Sequence, residues 1–321
     1  MKYEDFLVLS LGKGNVLSPL KNKQRADSPV YKFVDDSERI LYDVSVVNFS
    51  KYKETGEHPV SFEKAGPKEN LYFQPAKTKV GIVTCGGLCP GLNNVIRSLV
   101  NELNYRYGIS RILGIKYGYE GLVSNCNHPV IELTPQLVSN IHLIGGTILG
   151  SSRGNQDVGQ MVDTLEILNI NILFCIGGDG TLRGAHAIHQ EIKKRKLKIS
   201  VAGIPKTIDN DIDLIQKSFG FETAFSIAND IIRNAHNEAS GAYNGIALVK
   251  VMGRDSGFME AKAERASQEG QVGRITEITG EMNGKEGLRK RVRKRREERR
   301  EGRSGGEEGE GNGLRERVWS G

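Results

Sequence analysis

Several things are scarce in this chain of 321 residues, and each scarcity excludes a class of protein. Four cysteines cannot staple a disulfide scaffold. No apolar run approaches the roughly 18 residues that a membrane-spanning helix needs, and mean hydropathy is −0.39. There is one tryptophan, and aromatic residues make up 7%. Glycine is abundant at 39, but without a collagen period. No Walker-type Gly-Lys-Ser/Thr and no GxGxxG turn is present. The N-terminus, MKYEDFLVLS, carries Glu4 and Asp5 early and only a short apolar patch, so it fits neither a secretory signal nor a transit peptide. A reducing cytoplasm is the expected compartment, with the cysteines as buried thiols. Cys85 and Cys89 have no nearby Cys/His pair to complete a metal site and are read as incidental.

What is present divides into three. Residues 1–76 are polar and interrupted by Pro19, Pro29, Pro59, Pro67 and Pro75. They read as an extension that packs on the body through short apolar pieces such as Arg39–Tyr42. Residues 77–267 alternate regularly. Apolar β-rich runs at Val80–Thr84, Ile112–Lys116, Ile172–Ile176, Ile199–Ile204 and Ile246–Val251 suit strands buried on both faces. Helical patterns lie between them, at Leu92–Tyr105, Pro135–Ile144, Gln160–Leu168, Leu182–Lys194 and Thr223–Asn237, with Thr134-Pro135 placed as a helix start. The pattern predicts an α/β fold, Rossmann-like in three layers, with a mostly parallel sheet and ligands at the carboxyl ends of its strands. Residues 268–321 are glycine-rich, with 14 Lys/Arg against 11 Asp/Glu and a basic block at Arg289–Arg303. Half of the net charge of +6 therefore sits in a stretch that reads as a disordered tail. An Arg-rich arm for nucleic acid is the sharper alternative there; a salt-dependent affinity mapping to that block would support it.

Three turns after strands carry chemistry. The first, Cys85–Asn93, is glycine-rich and opens a helix, so backbone N–H groups can approach an anion. The second is Gly177-Gly178-Asp179-Gly180-Thr181, in which glycines cradle phosphate and Asp179 can hold Mg²⁺. The third, Pro205-Lys206-Thr207-Ile208-Asp209-Asn210-Asp211, sets two carboxylates beside a lysine, where one can act as a base. Gly150-Ser151-Ser152-Arg153-Gly154 and Met252-Gly253-Arg254 add guanidinium groups. Phosphate cradles, a cation site, guanidinium groups and a carboxylate are the parts that phosphoryl transfer needs.

GGLCPGLN (86–93), YGYEGL (117–122), GSSRG (150–154), GGDGT (177–181), PKTIDND (205–211), FGFETA (219–224) and KVMGRDSGF (250–258) together resemble the phosphofructokinase family, in the form of its plant-type ATP-dependent members. The resemblance implies a glycolytic, Mg²⁺-requiring, allosteric, oligomeric kinase that passes the γ-phosphate of ATP to the 1-hydroxyl of fructose 6-phosphate. It implies that Gly87, Arg153, Gly154, Gly178, Asp179, Gly180 and Thr181 bind ATP, with Asp179 serving the metal. It further implies that Thr207, Ile208, Asp209, Met252, Gly253 and Arg254 face the sugar phosphate. Asp209 would be the catalytic base, with Thr207 and Arg254 beside it. Gly180 and Lys206 would set the donor: glycine at 180 leaves room for a nucleotide, where pyrophosphate users place Asp, while Lys206 is the residue of the pyrophosphate users. The balance favours ATP.

Beyond Phe258 the family's Pro-Glu-Gly motif and second domain are not recognisable. The expectation is a first domain followed by an unrelated tail, with ATP binding and poor turnover. The competing readings are a pyrophosphate-dependent enzyme, a GGDGT kinase acting on NAD or a lipid head group, and a non-catalytic nucleotide-binding fragment. The first loop and Asp209 separate the kinase on sugar phosphate from the second of these.

Overall fold

The computed structural model describes residues 3–22, 32–126 and 128–251. The predicted tail and Met252, Gly253 and Arg254 lie outside them. The chain falls into two compact units, residues 1–223 and 224–321. In the first unit, the N-terminal stretch makes two small antiparallel ribbons. Strand β1 (Val16–Leu17) precedes the short helix α1 (Pro19–Asn22) and pairs with β4 (Asn70–Leu71), while β2 (Arg39–Leu41) pairs with β3 (Ser61–Glu63). Helix α2 (Val46–Thr55) lies between β2 and β3. The expectation that Arg39–Tyr42 packs on the body needs correction. Arg39–Leu41 pairs within the extension, and Ile40 and Tyr42 stay 51% and 45% exposed.

The main sheet contains β5 (Lys79–Thr84), β6 (Arg111–Ile115), β7 (Val130–Glu132), β8 (Ile172–Gly177) and β9 (Ser200–Pro205), in the order β7-β6-β5-β8-β9. All neighbours are parallel except β6 and β7. Four of the five predicted strands are therefore present. Their sequences are apolar at consecutive positions because both faces are covered. Val80, Ile82, Ile112 and Ile176 join Leu92, Ile96 and Val100 of α3 (Leu92–Asn101) on one face. Val83, Leu173 and Cys175 join Met161, Val162 and Leu165 of α4 (Val158–Ile167) and Ala185, Ile188 and Ile192 of α5 (Asp179–Lys194) on the other. This is the three-layer α/β arrangement that the sequence predicts.

The structure departs from the expected elements at three places, the first two for reasons of packing and pairing. Pro135–Ile144 is a series of turns ending in a single 3₁₀ turn, Ile141–Leu143. The Thr134 cap does form, its hydroxyl accepting from the Leu137 N–H at 3.2 Å. A ten-residue helix nevertheless needs a buried face, and only Val138 and Ile141 are buried while Leu137, Leu143 and Ile144 are exposed. Ile246–Val251 is not a strand: among the described residues it has no ladder partner, and β-rich composition without a partner makes no sheet. Finally, α3 runs on as a π turn over Glu102–Arg106 where a continuous helix was expected.

In the second unit, residues 224–241 continue the helix α6 (Phe221–Gly241). Among the described residues no helix is long and apolar enough to cross a membrane.

Candidate functional site

The order of the parallel strands creates a crevice. After β5 the chain turns toward the α3 face, and after β8 it turns toward the α5 face, so the loops leaving these adjacent strands diverge at their carboxyl ends. That is where ligands sit in open α/β sheets.

The first loop is fixed by its backbone. Cys85 N–H donates to Ile176 O at 2.9 Å, carrying the β5/β8 ladder one residue further. Gly86 then takes φ +81° and Gly91, which opens α3, takes φ +97°; both values favour glycine. Gly86 N–H donates to Ser152 O at 3.0 Å, and the Ser151 hydroxyl donates to Gly86 O at 2.6 Å. Thr84 ties the same two segments together, its hydroxyl donating to Gly150 O at 2.6 Å. A Cβ added at Gly87 would stand 3.2 Å from Arg153 Nη2, so glycine here lets the guanidinium come up against the loop. Arg153 and Gly154 are exposed, and Gly154 has φ +102° with nothing within 4 Å of a Cβ position.

The second motif is only half a loop. Gly177 ends β8 and Gly178 caps α5, which begins at Asp179, earlier than Leu182 as the sequence predicts. Gly178 O accepts from Thr181 N–H at 2.9 Å and Leu182 N–H at 3.0 Å. Thr181 is buried, and its carbonyl accepts the Tyr119 hydroxyl at 2.7 Å. Asp179 and Gly180 are exposed at the helix N-terminus, and a Cβ at Gly180 meets nothing within 4 Å. A 16-residue helix presents free N–H groups and a partial positive charge at this point. Tyr119→Phe would remove the hydroxyl that holds this turn. We expect about 1 kcal/mol of lost stability, read as a lower urea midpoint with unchanged slope.

The third loop is bound to both others through Lys206. Its N–H donates to Gly177 O at 2.9 Å, and its ammonium donates to Gly87 O at 2.6 Å. The side chain is buried, with 5% of the residue exposed. Burial pushes its pKa down, and the Arg153 charge acts in the same direction, while Asp209 opposes them. Within the loop, the Thr207 hydroxyl donates to Asp211 Oδ1 at 2.6 Å and accepts from Asp209 N–H at 3.1 Å. Asn210 sits at φ +53°; its side chain donates to Gln216 O at 3.1 Å and accepts from Ser218 N–H at 2.7 Å. The Ser218 hydroxyl donates to Thr207 O. Asp209, half-buried, is thus set on a loop fixed at both ends and adjoining the Gly177–Thr181 bend. Lys206→Met keeps length but leaves Gly87 O unpaired. We expect a loss of about 1–2 kcal/mol in denaturant unfolding, because a charge-assisted bond goes while a desolvated charge is relieved.

Of the residues singled out in the sequence, Gly87, Arg153, Gly178, Asp179, Gly180, Thr181, Lys206, Thr207, Ile208 and Asp209 lie on these three loops and the Gly150–Gly154 segment. Met252, Gly253 and Arg254 lie outside the described residues. The buried thiols Cys85 and Cys89 are pushed up to about 12 and about 11 by burial, which suits inert packing groups rather than metal ligands.

Asn93 is a positioning residue that the sequence reading missed. It is fully buried, donates to Ile144 O at 2.8 Å and accepts from Ile148 N–H at 2.9 Å, and so pins the approach to Gly150. Its only sequence signal is a polar residue on the inward face of a helix's first turn.

The phosphofructokinase family profile matches residues 79–304, a span that takes in all these loops and the whole basic block Arg289–Arg303. Among curated proteins, an ATP-dependent 6-phosphofructokinase of Borreliella burgdorferi is 47% identical over 286 residues, 88% of this chain and 63% of that protein. A chloroplastic ATP-dependent 6-phosphofructokinase of Arabidopsis thaliana is 43% identical over 274 residues, 83% of this chain and 50% of that one. The chain thus spans about half to two-thirds of the length of these curated relatives. Among solved structures, the Pichia pastoris phosphofructokinase in its T-state superposes with a TM-score of 0.52 at 26% identity, over 64% of this chain and 22% of that one. With the profile covering well over half its residues, the chain belongs to the phosphofructokinase family.

Proposed function

We propose that this chain is an ATP-dependent 6-phosphofructokinase that carries the γ-phosphate of ATP to the 1-hydroxyl of fructose 6-phosphate. The observation that carries the reading is the junction made by Lys206. One buried side chain and its own N–H tie the Gly86–Gly87 turn, the Gly177–Thr181 bend and the Asp209 loop into one crevice at the strand ends. In it, the N-terminus of α5 and the loop amides receive phosphate oxygens, with Gly87, Gly154, Gly178, Gly180 and Thr181 keeping the backbone close. Arg153 neutralises equatorial charge. Asp209 takes the proton of the attacking hydroxyl, with Thr207 and Asp211 holding its loop and Ile208 beside it. Met252, Gly253 and Arg254 belong to the sugar-phosphate side of the same proposal.

Asp179 fits Mg²⁺: it is an exposed hard-oxygen donor at the start of α5, and Mg²⁺ keeps most of its waters and takes one or two carboxylates. When bound, the ion would neutralise charge on the transferring phosphate. The donor is ATP rather than pyrophosphate because the space at Gly180 is open. The likeness to a pyrophosphate-dependent phosphofructokinase of Marinobacter aquaeolei, at 19% identity, speaks to fold alone.

The domain division 1–76, 77–267 and 268–321, a cytoplasmic location and a homo-oligomeric state are parts of this proposal. The test is turnover of fructose 6-phosphate with ATP against pyrophosphate. Faster use of pyrophosphate, or none of either while ATP binds, would overturn it in favour of the pyrophosphate enzyme or the nucleotide-binding fragment respectively.

A further inference from the structure

Three side chains of different chemistry, none of them assigned to the crevice, converge beside β6. Glu120 lies in the 3₁₀ turn Gly118–Leu122, Cys126 ends the next, Ser124–Cys126, and His128 follows two residues later. One ligand atom from each lies within 4.8 Å of the others. His128 Nε2 is already 3.0 Å from Glu120 Oε1. The histidine and glutamate side chains are 25% and 39% exposed, so water reaches the group without flooding it.

We propose that Glu120, Cys126 and His128 form a site for a divalent cation of borderline softness, zinc in the first instance. The donor set decides the class: thiolate, imidazole and carboxylate together suit zinc, whereas Mg²⁺ and Ca²⁺ take oxygen alone. Zinc bonds of about 2.0–2.3 Å place tetrahedral ligand atoms about 3.3–3.8 Å apart. The observed spacings, 3.0 Å between His128 and Glu120 and at most 4.8 Å within the group, bracket that range, so side-chain shifts of about 1 Å would close it. Three protein ligands leave the fourth corner to water.

Two further observations point the same way. Cys126 is the one cysteine of the four that is not buried, so an ion from solvent can reach its thiol. The group is also held from outside. Cys126 N–H donates to Val123 O at 3.0 Å, and Ser124 Oγ lies 3.4 Å from Thr164 Oγ1 on α4. On the far side the His128 ring lies 4.6 Å from that of Tyr117, at 54°. Tyr117 itself has φ +59° and packs its ring over Gly150, where a Cβ would stand 2.8 Å from Cδ1. The segments that carry the ligands are thus in contact with neighbouring groups, as those of a metal site are.

The test is titration of the full chain, under reducing conditions, with Co²⁺ followed by back-titration with Zn²⁺. The expected result is one equivalent of Co²⁺ giving thiolate-to-metal charge-transfer absorption, abolished by zinc. Cys126→Ser should remove the band. His128→Ala and Glu120→Gln should each weaken Co²⁺ binding by about tenfold or more, while Cys89→Ser leaves it intact. Absence of the band in the unsubstituted chain would overturn the proposal, and so would a band that survives Cys126→Ser. Neither reading depends on the kinase activity.

Discussion

Replacing Asp209 by Asn should lower the rate of phosphoryl transfer to fructose 6-phosphate by about 10²–10⁴-fold, the usual contribution of a positioned general base. The amide has the same shape as the carboxylate and cannot take the proton of an attacking hydroxyl. The loop around it should stay in place, because Asn keeps the side-chain shape and the loop has further fixed points of its own. The Asp209 N–H donates to Thr207 Oγ1. The ties that close the loop belong to Thr207, Asp211, Asn210 and Ser218. The melting temperature should shift by no more than a few degrees and ATP affinity should remain within about twofold, so that the loss falls on kcat. A coupled assay for fructose 1,6-bisphosphate, run beside an ATP-binding titration, separates the outcomes. A rate within about tenfold of the unsubstituted chain would remove Asp209 from the role of base, whatever the standing of the other residues.

The parallel sheet was readable because burial on both faces writes itself into consecutive positions. Val80, Ile82 and Val83 are all fully buried, on opposite sides of one strand. Shorter or less buried elements leave no such signature. Val130–Glu132, three residues at the antiparallel edge, has no fully buried position to mark it. The start of α5 was hidden because Gly178, Asp179 and Gly180 have poor helix propensity; the turn forms because Gly178 O collects two N–H groups. Ile246–Val251 shows the converse, a β-rich composition that no partner strand confirms. In the crevice the loops were legible as motifs, since each lies within one short run. What joins them was not. Lys206 reads as a neighbour of Asp209, but its ammonium is spent on the carbonyl of Gly87, 119 residues away in sequence. A bond to a main-chain carbonyl leaves no complementary side chain to find.

Gly180→Asp should weaken ATP binding by about a hundredfold and leave the fold standing. The two halves of that expectation come from different facts. The position is sterically free: a Cβ there meets nothing within 4 Å. It also lies in the first turn of α5, where Asp is a better helix residue than Gly and its charge is favoured by the helix dipole by about 0.3–1 kcal/mol. The melting temperature should therefore hold or rise slightly. The bound nucleotide meets the opposite balance. A second carboxylate next to Asp179 points into the space that the proposal gives to the phosphates. A unit charge about 6 Å from another costs about 2.8 kcal/mol at an effective dielectric constant near 20, and solvent and counter-ions at this exposed turn reduce that figure. A net loss of about 2.7 kcal/mol, or a hundredfold, needs only a phosphate carrying more than one negative charge. Pyrophosphate, with no nucleoside to place beyond the turn, should lose less, so the preference for ATP should narrow. Calorimetric titration with each donor, together with a melting curve, checks both halves. Unchanged ATP affinity in a folded Gly180→Asp chain would mean that the nucleotide's phosphates do not lie over the start of α5, and that the empty space at Gly180 serves something else.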